Sequence, residues 1–359
     1  MESPSSAVDD ERVTAPSVPA RGSTNGRFRL AVVFASVVAA IVGSVLLVMH
    51  RSSERVSVRT GSAVAPALPR GGRGVAAIRV GRGILPVRGG GPLAVGEGAV
   101  WAMSNARSTL MRIDPARNAI VAKIKVHTPE GVAAGDGAVW LSNPSEDTVS
   151  RVDPAVNKVT ATIRVGPQPE GIAVSPGAVW VANAGGPSLS RIDPATNRVV
   201  ATIRVGPKRE CCAEHTYVIA SPRAVWVALP YANSIVHVDP GTNSVVATAM
   251  IGYPPCGFLA ADNAGVWSAG CGNVVARIDS RTTRLTAHLP EPEPVGLAVA
   301  FGSVWVATGG GNVDQIDPQS GRLVARLHIV GLTVRLGVGF GSIWVNDDSG
   351  RVLRIKPQR

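Results

Sequence analysis

Tryptophan recurs along this chain at a nearly constant interval. Successive Trp residues are 39, 40, 46, 41, 38 and 39 positions apart, and each closes a short motif of the form G-A-V-W or a close variant of it. The seven residues are Trp101, Trp140, Trp180, Trp226, Trp267, Trp305 and Trp344. A period of about 40 residues, with turn residues in every repeat, predicts a β-propeller or another repeat array.

The third repeat shows the repeating unit most clearly. Four short segments rich in Val and Ile are separated by turn residues, which is typical of β-strands. They are residues 171–174 (GIAV), 178–183 (AVWVAN), 189–194 (LSRIDP) and 198–205 (RVVATIRV). Both faces of AVWVAN are apolar, as expected for a sheet packed between two other sheets. With 40 Gly and 27 Pro in 359 residues, a bundle of long amphipathic helices is excluded.

The two ends of the array distinguish a closed ring from an open solenoid. The last repeat stops after GSIWVND and RVLRIKP and lacks a fourth strand. A matching strand exists at the other end, where residues 75–80 (VAAIRV) agree with residues 200–205 (VATIRV) at five of six positions. We therefore predict an all-β fold, a seven-bladed β-propeller over residues 75–359, which the N-terminal strand closes so that no sheet edge stays open.

The residues before the propeller predict a membrane anchor. Residues 30–49 carry no charged side chain, and as a helix they would span about 30 Å, so we predict a transmembrane helix. A cleaved signal peptide is the alternative, but its apolar region would be roughly 7 to 15 residues long with a cleavage site close behind. We expect residues 1–29 to be a disordered tail and residues 50–74 a flexible basic tether.

The orientation of this anchor is predicted from the cysteines. Within ten residues of the segment, three Arg precede it (Arg21, Arg27 and Arg29) and three follow it (Arg51, Arg55 and Arg59), so the flanking charges do not decide the orientation. Cys211, Cys212, Cys256 and Cys271 map to one rim of the propeller, where two disulfides are plausible, and buried free thiols are the alternative. We favour pairing Cys256 with Cys271, which leaves Cys211 and Cys212 as a vicinal pair. Because disulfides persist in oxidising compartments, we predict a single-pass protein of the cell membrane with an extracytoplasmic propeller.

Two family resemblances follow from the repeat. The segments VWVAN and RIDPATNRVVATIRVG resemble the YVTN-type, or surface-layer-type, bacterial propeller repeats over roughly residues 75–359. A more distant resemblance is to the streptogramin B (virginiamycin B) lyase propellers, whose blades similarly read G-x-x-W. That family places an acidic residue three positions after the aromatic, and here only Asp347 fits. The second resemblance implies a lyase that opens a cyclic peptide lactone and uses magnesium.

One rim of the propeller is the predicted functional surface. It collects the loops from each fourth strand to the next blade and those between second and third strands. The ligand-binding candidates on this rim are His127, Glu130, Glu170, Glu293 and Arg335. For an enzyme, the weaker acid–base candidates are Glu210, Glu214, His215 and Asp347, since a carboxylate beside His is a usual acid–base arrangement.

Other motifs exclude several classes of function. Five Asp residues precede Pro at one repeat position, and we expect them to open turns rather than to bind metal. They are Asp114, Asp153, Asp193, Asp239 and Asp317. No C-x-x-C, Walker A, G-x-S-x-G or H-E-x-x-H motif occurs, and the basic excess (36 Lys and Arg against 25 Asp and Glu) is scattered, which disfavours nucleic-acid binding. We therefore expect a binding or scaffolding module for a protein, peptide or glycan, without cofactor or metal, with the lyase as the alternative.

Overall fold

The strands of the described residues form seven antiparallel four-stranded sheets. The computed structural model describes residues 76–79, 91–104, 108–127, 129–207, 215–256, 258–262, 265–271, 273–329, 333–347 and 351–357. The first strand of each sheet lies beside the first strands of two neighbouring sheets, which closes the ring. The predicted seven-bladed β-propeller is therefore confirmed. The predicted tail, transmembrane helix and tether (residues 1–74) lie outside the described residues, and among the described ones no helix meets the length and apolarity that a membrane crossing requires.

The blades follow one another along the chain. Blade 1 consists of β2 (Leu93–Gly96), β3 (Ala99–Ser104), β4 (Thr109–Asp114) and β5 (Ala119–Lys125). Blade 2 consists of β6 (Gly131–Gly135), β7 (Ala138–Asn143), β8 (Thr148–Asp153) and β9 (Lys158–Arg164). Blade 3 consists of β10 (Pro169–Ser175), β11 (Ala178–Asn183), β12 (Ser188–Asp193) and β13 (Arg198–Arg204). Blade 4 consists of β14 (Tyr217–Ala220), β15 (Val225–Leu229), β16 (Ser234–Asp239) and β17 (Ser244–Met250), with a 3-10 turn at Pro230–Ala232.

The remaining blades complete the circle. Blade 5 consists of β18 (Leu259–Ala261), β19 (Gly265–Gly270), β20 (Val274–Asp279) and β21 (Leu285–Pro290). Blade 6 consists of β22 (Pro294–Ala300), β23 (Ser303–Thr308), β24 (Asn312–Ile316) and β25 (Leu323–His328). Blade 7 consists of β26 (Thr333–Gly339), β27 (Ser342–Asp347), β28 (Arg351–Ile355) and, as its outer strand, β1 (Ala76–Arg79). β1 runs antiparallel to β28, with Ala76 opposite Arg354 and Arg79 opposite Arg351.

The Asp residues before Pro form turns between third and fourth strands. Asp193 Oδ1 accepts a hydrogen bond from the backbone N–H of Ala195 (2.9 Å), and Asp193 Oδ2 accepts one from the hydroxyl of Thr196 (2.9 Å). These bonds hold the pKa of Asp193 below its ordinary value. Asn197 closes the turn with a positive φ of 56°, a conformation that Asn tolerates better than most residues. The contacts within the turn therefore account for the position of the Asp193 carboxylate, and no metal ion is needed to explain it.

Each Trp packs into the boundary between its own blade and the next. The Trp side chains are at most 4% exposed, and the apolar clusters around them always include residues of the following blade. Trp180 of blade 3, for example, lies in a cluster with Val225 and Val227 of blade 4. Trp344 of blade 7 lies with Val100 and Met111 of blade 1, so the boundary that closes the ring is built like the others.

An arginine on the third strand joins some blades to the next. Arg151 stands opposite Trp140, lies over its ring at 5.3 Å from the centroid, and continues into blade 3. There it donates to the carbonyl oxygen of Pro194 (3.0 Å) and to Oδ1 of Asn197 (2.9 Å). We call this arrangement the arginine latch. Latches of the same kind are made by Arg112, Arg191 and Arg354.

Three blades carry other contacts at the latch position. In blade 4 His237 stacks on Trp226 with ring centroids 4.2 Å apart. In blade 5 Arg277 contacts Asp262 of its own blade (3.3 Å). In blade 6 Gln315 donates to Ser303 of its own blade (2.8 Å). The latched boundaries are therefore consecutive and run from blade 7 through blade 1 to blade 4.

Candidate functional site

The first strands of all seven blades begin around one opening, which we call the central mouth. It leads into a cavity of about 170 Å³ with apolar walls from the first strands and a polar entrance. The walls include Leu93, Val132, Ile172, Leu259, Leu297 and Leu336. The entrance carries Glu130, Glu170, His215, Tyr217, Phe258 and Arg335. A concave site with apolar walls and a few converging polar groups is the usual form of a ligand pocket.

Arg335 is the basic residue of the central mouth. Its guanidinium lies over the ring of Phe258, 3.9 Å from the centroid, and the Phe258 ring in turn meets the ring of Tyr217 at 4.6 Å. Burial lowers the pKa of Arg335, while Tyr217 and Glu130 act in the opposite direction. Burial also raises the pKa of Tyr217. The aromatic pair thus holds a cation at the entrance of an apolar cavity.

Glu170 and His215 face each other across two neighbouring blades. The distance from Glu170 Oε1 to His215 Nδ1 is 3.8 Å, and Glu170 Oε2 accepts a hydrogen bond from the backbone N–H of Thr216 (2.7 Å). The Glu170 side chain is 11% exposed, whereas that of His215 is 63% exposed. Glu170 is therefore fixed by the backbone of blade 4, and His215 remains accessible from solvent. The carboxylates of Glu170 and of the more exposed Glu130 share the lining of the cavity with Arg335, and Glu130 acts electrostatically on that guanidinium.

The structure separates the other predicted rim residues from the central mouth. His127 lies outside it and pairs with Glu146, with 2.8 Å between Nδ1 and Oε1. Glu293 packs against Gly309, which donates its backbone N–H to the Glu293 carbonyl (2.8 Å). Neither residue lines the cavity. Of the five predicted rim residues, the structure thus brings Glu130, Glu170 and Arg335 together.

The acid–base candidates also divide. His215 lies in the central mouth, whereas Glu210 and Glu214 fall outside the described residues. The Asp347 carboxylate is fully buried and paired with Arg351, with 2.7 Å between Oδ2 and Nε. Asp347 therefore orders the start of β28, and it is not among the residues that line the cavity. Among the described residues, no three His, Cys, Asp or Glu side chains lie together in a way that could hold a metal ion. The described residues therefore do not fit the magnesium site that the lyase resemblance implies.

A disulfide bond joins Cys256 and Cys271 in blade 5, the pairing that the sequence favours. Their Cα atoms are 5.2 Å apart, and the bond links the segment before the first strand to the end of the second. Cys211 and Cys212 fall outside the described residues.

Tyr217 and Phe258 form the aromatic part of the entrance and are not among the residues predicted from the sequence. A signal for both exists in the alignment of the repeats, because each stands at or just before the first strand of its blade. The chain has only three Tyr and five Phe in total, so an aromatic residue at that position in two adjacent repeats is unusual. Charge alone predicts Arg335 and not the aromatic side chains that support its half-buried guanidinium.

A second cluster of charged groups lies between blades 5 and 6. Glu291 is 8% exposed. Its backbone N–H donates the hydrogen bond that, in five other blades, is donated by the backbone N–H of an apolar residue at the same repeat position. Those residues are Val126, Val165, Val205, Ile251 and Ile329. Glu291 faces Asp314, which Arg326 holds with two bonds of 2.7 and 2.6 Å. Burial and the Asp314 carboxylate raise the pKa of Glu291 to about 7, and Arg326 opposes that shift.

Comparison with known proteins identifies the fold and leaves the family open. No family model matches the chain, and no curated protein matches it significantly. The structure is similar to "Kuenenia stuttgartiensis Hydrazine Synthase", with a TM-score of 0.63 and 17% identity over 84% of this chain and 99% of the other. It is also similar to a streptogramin B lyase, with a TM-score of 0.64 and 15% identity over 79% and 97% of the two chains. A third similar structure is BamB from Moraxella catarrhalis, with a TM-score of 0.60 and 14% identity over 79% and 99%. At these identities the likeness establishes the β-propeller fold alone.

Proposed function

We propose that this protein is a membrane-anchored binding module that binds a peptide segment at its central mouth. The segment is either a free peptide or part of a protein. The observation that carries the proposal is the entrance itself, which Arg335 on its aromatic support shares with the carboxylates of Glu130 and Glu170. A cavity of about 170 Å³ beneath the entrance holds one side chain of ordinary size, since engineered apolar cavities of roughly 150 Å³ hold a benzene molecule. A peptide supplies both an apolar side chain and charged or polar groups beside it.

The anchor and the location complete this proposal. Residues 30–49 support a single membrane span, and the disulfide between Cys256 and Cys271 supports an oxidising, extracytoplasmic location for the propeller. We expect a phosphatase reporter that is active only outside the cytoplasm to be active when it is fused after Arg359. A fusion at the same position with a reporter that is active only in the cytoplasm serves as the control. Activity of the second reporter instead of the first would contradict the assigned orientation.

Peptide binding is tested with the full chain in lipid nanodiscs. A random peptide library is selected on the immobilised protein, and the dissociation constant of the selected peptide is measured by fluorescence anisotropy. We expect Arg335→Gln to weaken binding about tenfold or more, because a hydrogen bond to a charged group contributes about 1.5 to 3 kcal/mol. Glu130→Gln tests the exposed carboxylate with little risk to folding. Glu146→Gln, outside the central mouth, is the matched control and should change the constant less than twofold.

Two results would contradict peptide binding at this site. The first is a peptide whose affinity is the same for wild type, Arg335→Gln and Glu130→Gln, and envelope glycan fragments that bind in its place would reassign the ligand. The second concerns the lyase alternative, which the approach of His215 to Glu170 favours. Conversion of a streptogramin B to a linear product, followed by liquid chromatography with mass spectrometry and abolished by His215→Ala, would show that the central mouth is catalytic.

A further inference from the structure

The face opposite the central mouth carries the turns between first and second strands and those between third and fourth strands. We call it the lower face. Because β1 runs antiparallel to β28, the chain joins the propeller on the lower face, at Ala76. Several blades have a glycine in the turn between first and second strands. The type of residue that precedes this glycine differs from blade to blade.

In blades 1 and 2 this turn residue is acidic and binds the following blade. Glu97 Oε1 accepts a hydrogen bond from the backbone N–H of Gly137 (3.1 Å). Asp136 Oδ2 accepts the corresponding bond from Gly177 (2.8 Å). Both residues have a positive φ, of 50° and 53°. An acidic residue here ties neighbouring turns together.

In blades 6 and 7 the same position is occupied by Phe301 and Phe340. Their φ values are 54° and 53°, in the left-handed region that is unfavourable for a bulky side chain. Phe301 is 50% exposed and Phe340 44%, and neither side chain can accept the bond that Glu97 and Asp136 accept. Val338, two residues before Phe340, is 38% exposed. Exposed aromatic residues at strained positions contribute little to the fold, which points to a contact outside the chain.

The charges of the same two blades fit an anionic surface. In blade 7 the segment RIKP replaces the RIDP of blade 3, so Lys356 stands where the other blades have the turn Asp. Lys356 is exposed, and so is Arg322 in the corresponding turn region of blade 6. Among the described turn residues of these blades on the lower face, the one acidic residue is Asp317, whose carboxylate accepts two bonds of 2.8 Å within its own turn. Exposed aromatic and basic residues on one face are typical of surfaces that bind membrane interfaces.

We propose that the lower face of blades 6 and 7 lies against a phospholipid surface, with Phe301 and Phe340 among the headgroups. This inference rests on the membrane anchor of the proposed function and is independent of the ligand at the central mouth. The occupant is a bilayer because the uncharged segment 30–49 precedes, by 26 residues, the strand that enters on this face. Lys356 and Arg322 add attraction to anionic lipid, about 1 kcal/mol for each residue near the surface.

The test uses the full chain reconstituted into vesicles of phosphatidylcholine and phosphatidylglycerol that contain a photoactivatable lipid. After irradiation, labelled peptides are mapped by mass spectrometry. We expect the turns that contain Phe301 and Phe340 to be labelled. Labelling of both should fall at least fivefold in the double variant Phe301→Asp, Phe340→Glu, which copies the acidic residues of blades 1 and 2. Met250→Ser, a change of an outer-strand side chain that is 71% exposed, is the matched control and should leave the labelling unchanged.

The double variant also separates loss of contact from loss of folding. Because Asp and Glu tolerate this turn and can bind the next blade, its melting temperature should equal or exceed that of the wild type. A chain that stays anchored but is labelled on neither turn overturns the lipid contact and leaves the anchor intact. Release from the vesicles by alkaline carbonate overturns the anchor and this inference together. Dimers that disappear in the double variant, without lipid labelling, would assign the two Phe to a second copy of the chain.

Discussion

Trp180→Ala should lower the free energy of unfolding by about 3 to 5 kcal/mol, the usual cost of removing a large buried aromatic side chain. The Trp180 ring is fully buried at the boundary between blades 3 and 4, and its Nε1 donates to Ser175 Oγ (3.0 Å). Its loss also leaves the guanidinium of Arg191, now 5.2 Å from the ring centroid, without its aromatic partner. Urea unfolding followed by circular dichroism measures the change.

Met250→Ala is the control for Trp180→Ala. Its side chain is mostly exposed, so the substitution should change the free energy of unfolding by less than about 0.5 kcal/mol. Equal unfolding midpoints for Trp180→Ala and the wild type would show that the repeated Trp does not hold the blades together.

Glu291→Gln should make the protein more stable at pH 8 and leave its stability at pH 4.5 nearly unchanged. The pKa of Glu291 is raised from about 4.5 in the unfolded chain to about 7 in the folded one. The folded state therefore binds this proton more tightly, so wild-type stability falls as pH rises from about 4.5 and levels off above about 7. At 1.36 kcal/mol per pKa unit, the difference at pH 8 is about 3 kcal/mol. Gln keeps the shape and the donor toward Asp314 and does not titrate.

The measurement for Glu291→Gln is a pair of urea unfolding curves at each of several pH values, with and without the substitution. Subtracting the wild-type curve isolates Glu291 from the other titrating groups. Glu146→Gln, which changes a carboxylate far from Asp314 and Arg326, should give no comparable gain. A difference between variant and wild type that does not grow with pH would mean that Glu291 is ionised in the folded protein at little cost.

The number of blades and their strand order could be predicted from the sequence because the repeat states them many times. Trp and the Asp-Pro turn recur at nearly constant distances, so a strand that is unclear in one repeat can be assigned from the others. The latch was equally visible in principle, since Arg stands two residues before Asp in repeats such as RIDP and RVDP. Its partner, however, lies about 45 residues away in the next blade, and only the packing of two sheets shows that they meet.

The candidate site was less predictable because it depends on where single side chains point. Membership of a rim loop placed Glu130, Glu170 and Arg335 correctly near one another. The same criterion included His127 and Glu293, which do not line the central mouth. His127 follows the same strand as Glu130 but pairs with Glu146, and Glu293 packs against Gly309. This criterion gave no sign that Glu291 is buried, since a charged residue in a loop suggests exposure. Comparison with Val205 or Ile251 at the same position would have indicated burial.

The order of the arginine latches gives this ring two unequal arcs. Four adjacent boundaries carry a latch between a third strand and a neighbouring turn, whereas at the latch position of blades 4, 5 and 6 the contacts stay within the blade. Local opening begins where the contacts that must break cost the least free energy. Thermal fluctuations should therefore concentrate in the arc without latches, from blade 4 to blade 7. The disulfide of blade 5 and the titrating Glu291 both lie in that arc. Reduction of the disulfide and titration of Glu291 would therefore both act on this arc. The redox state and the pH of the surroundings would then determine how readily this part of the propeller opens locally.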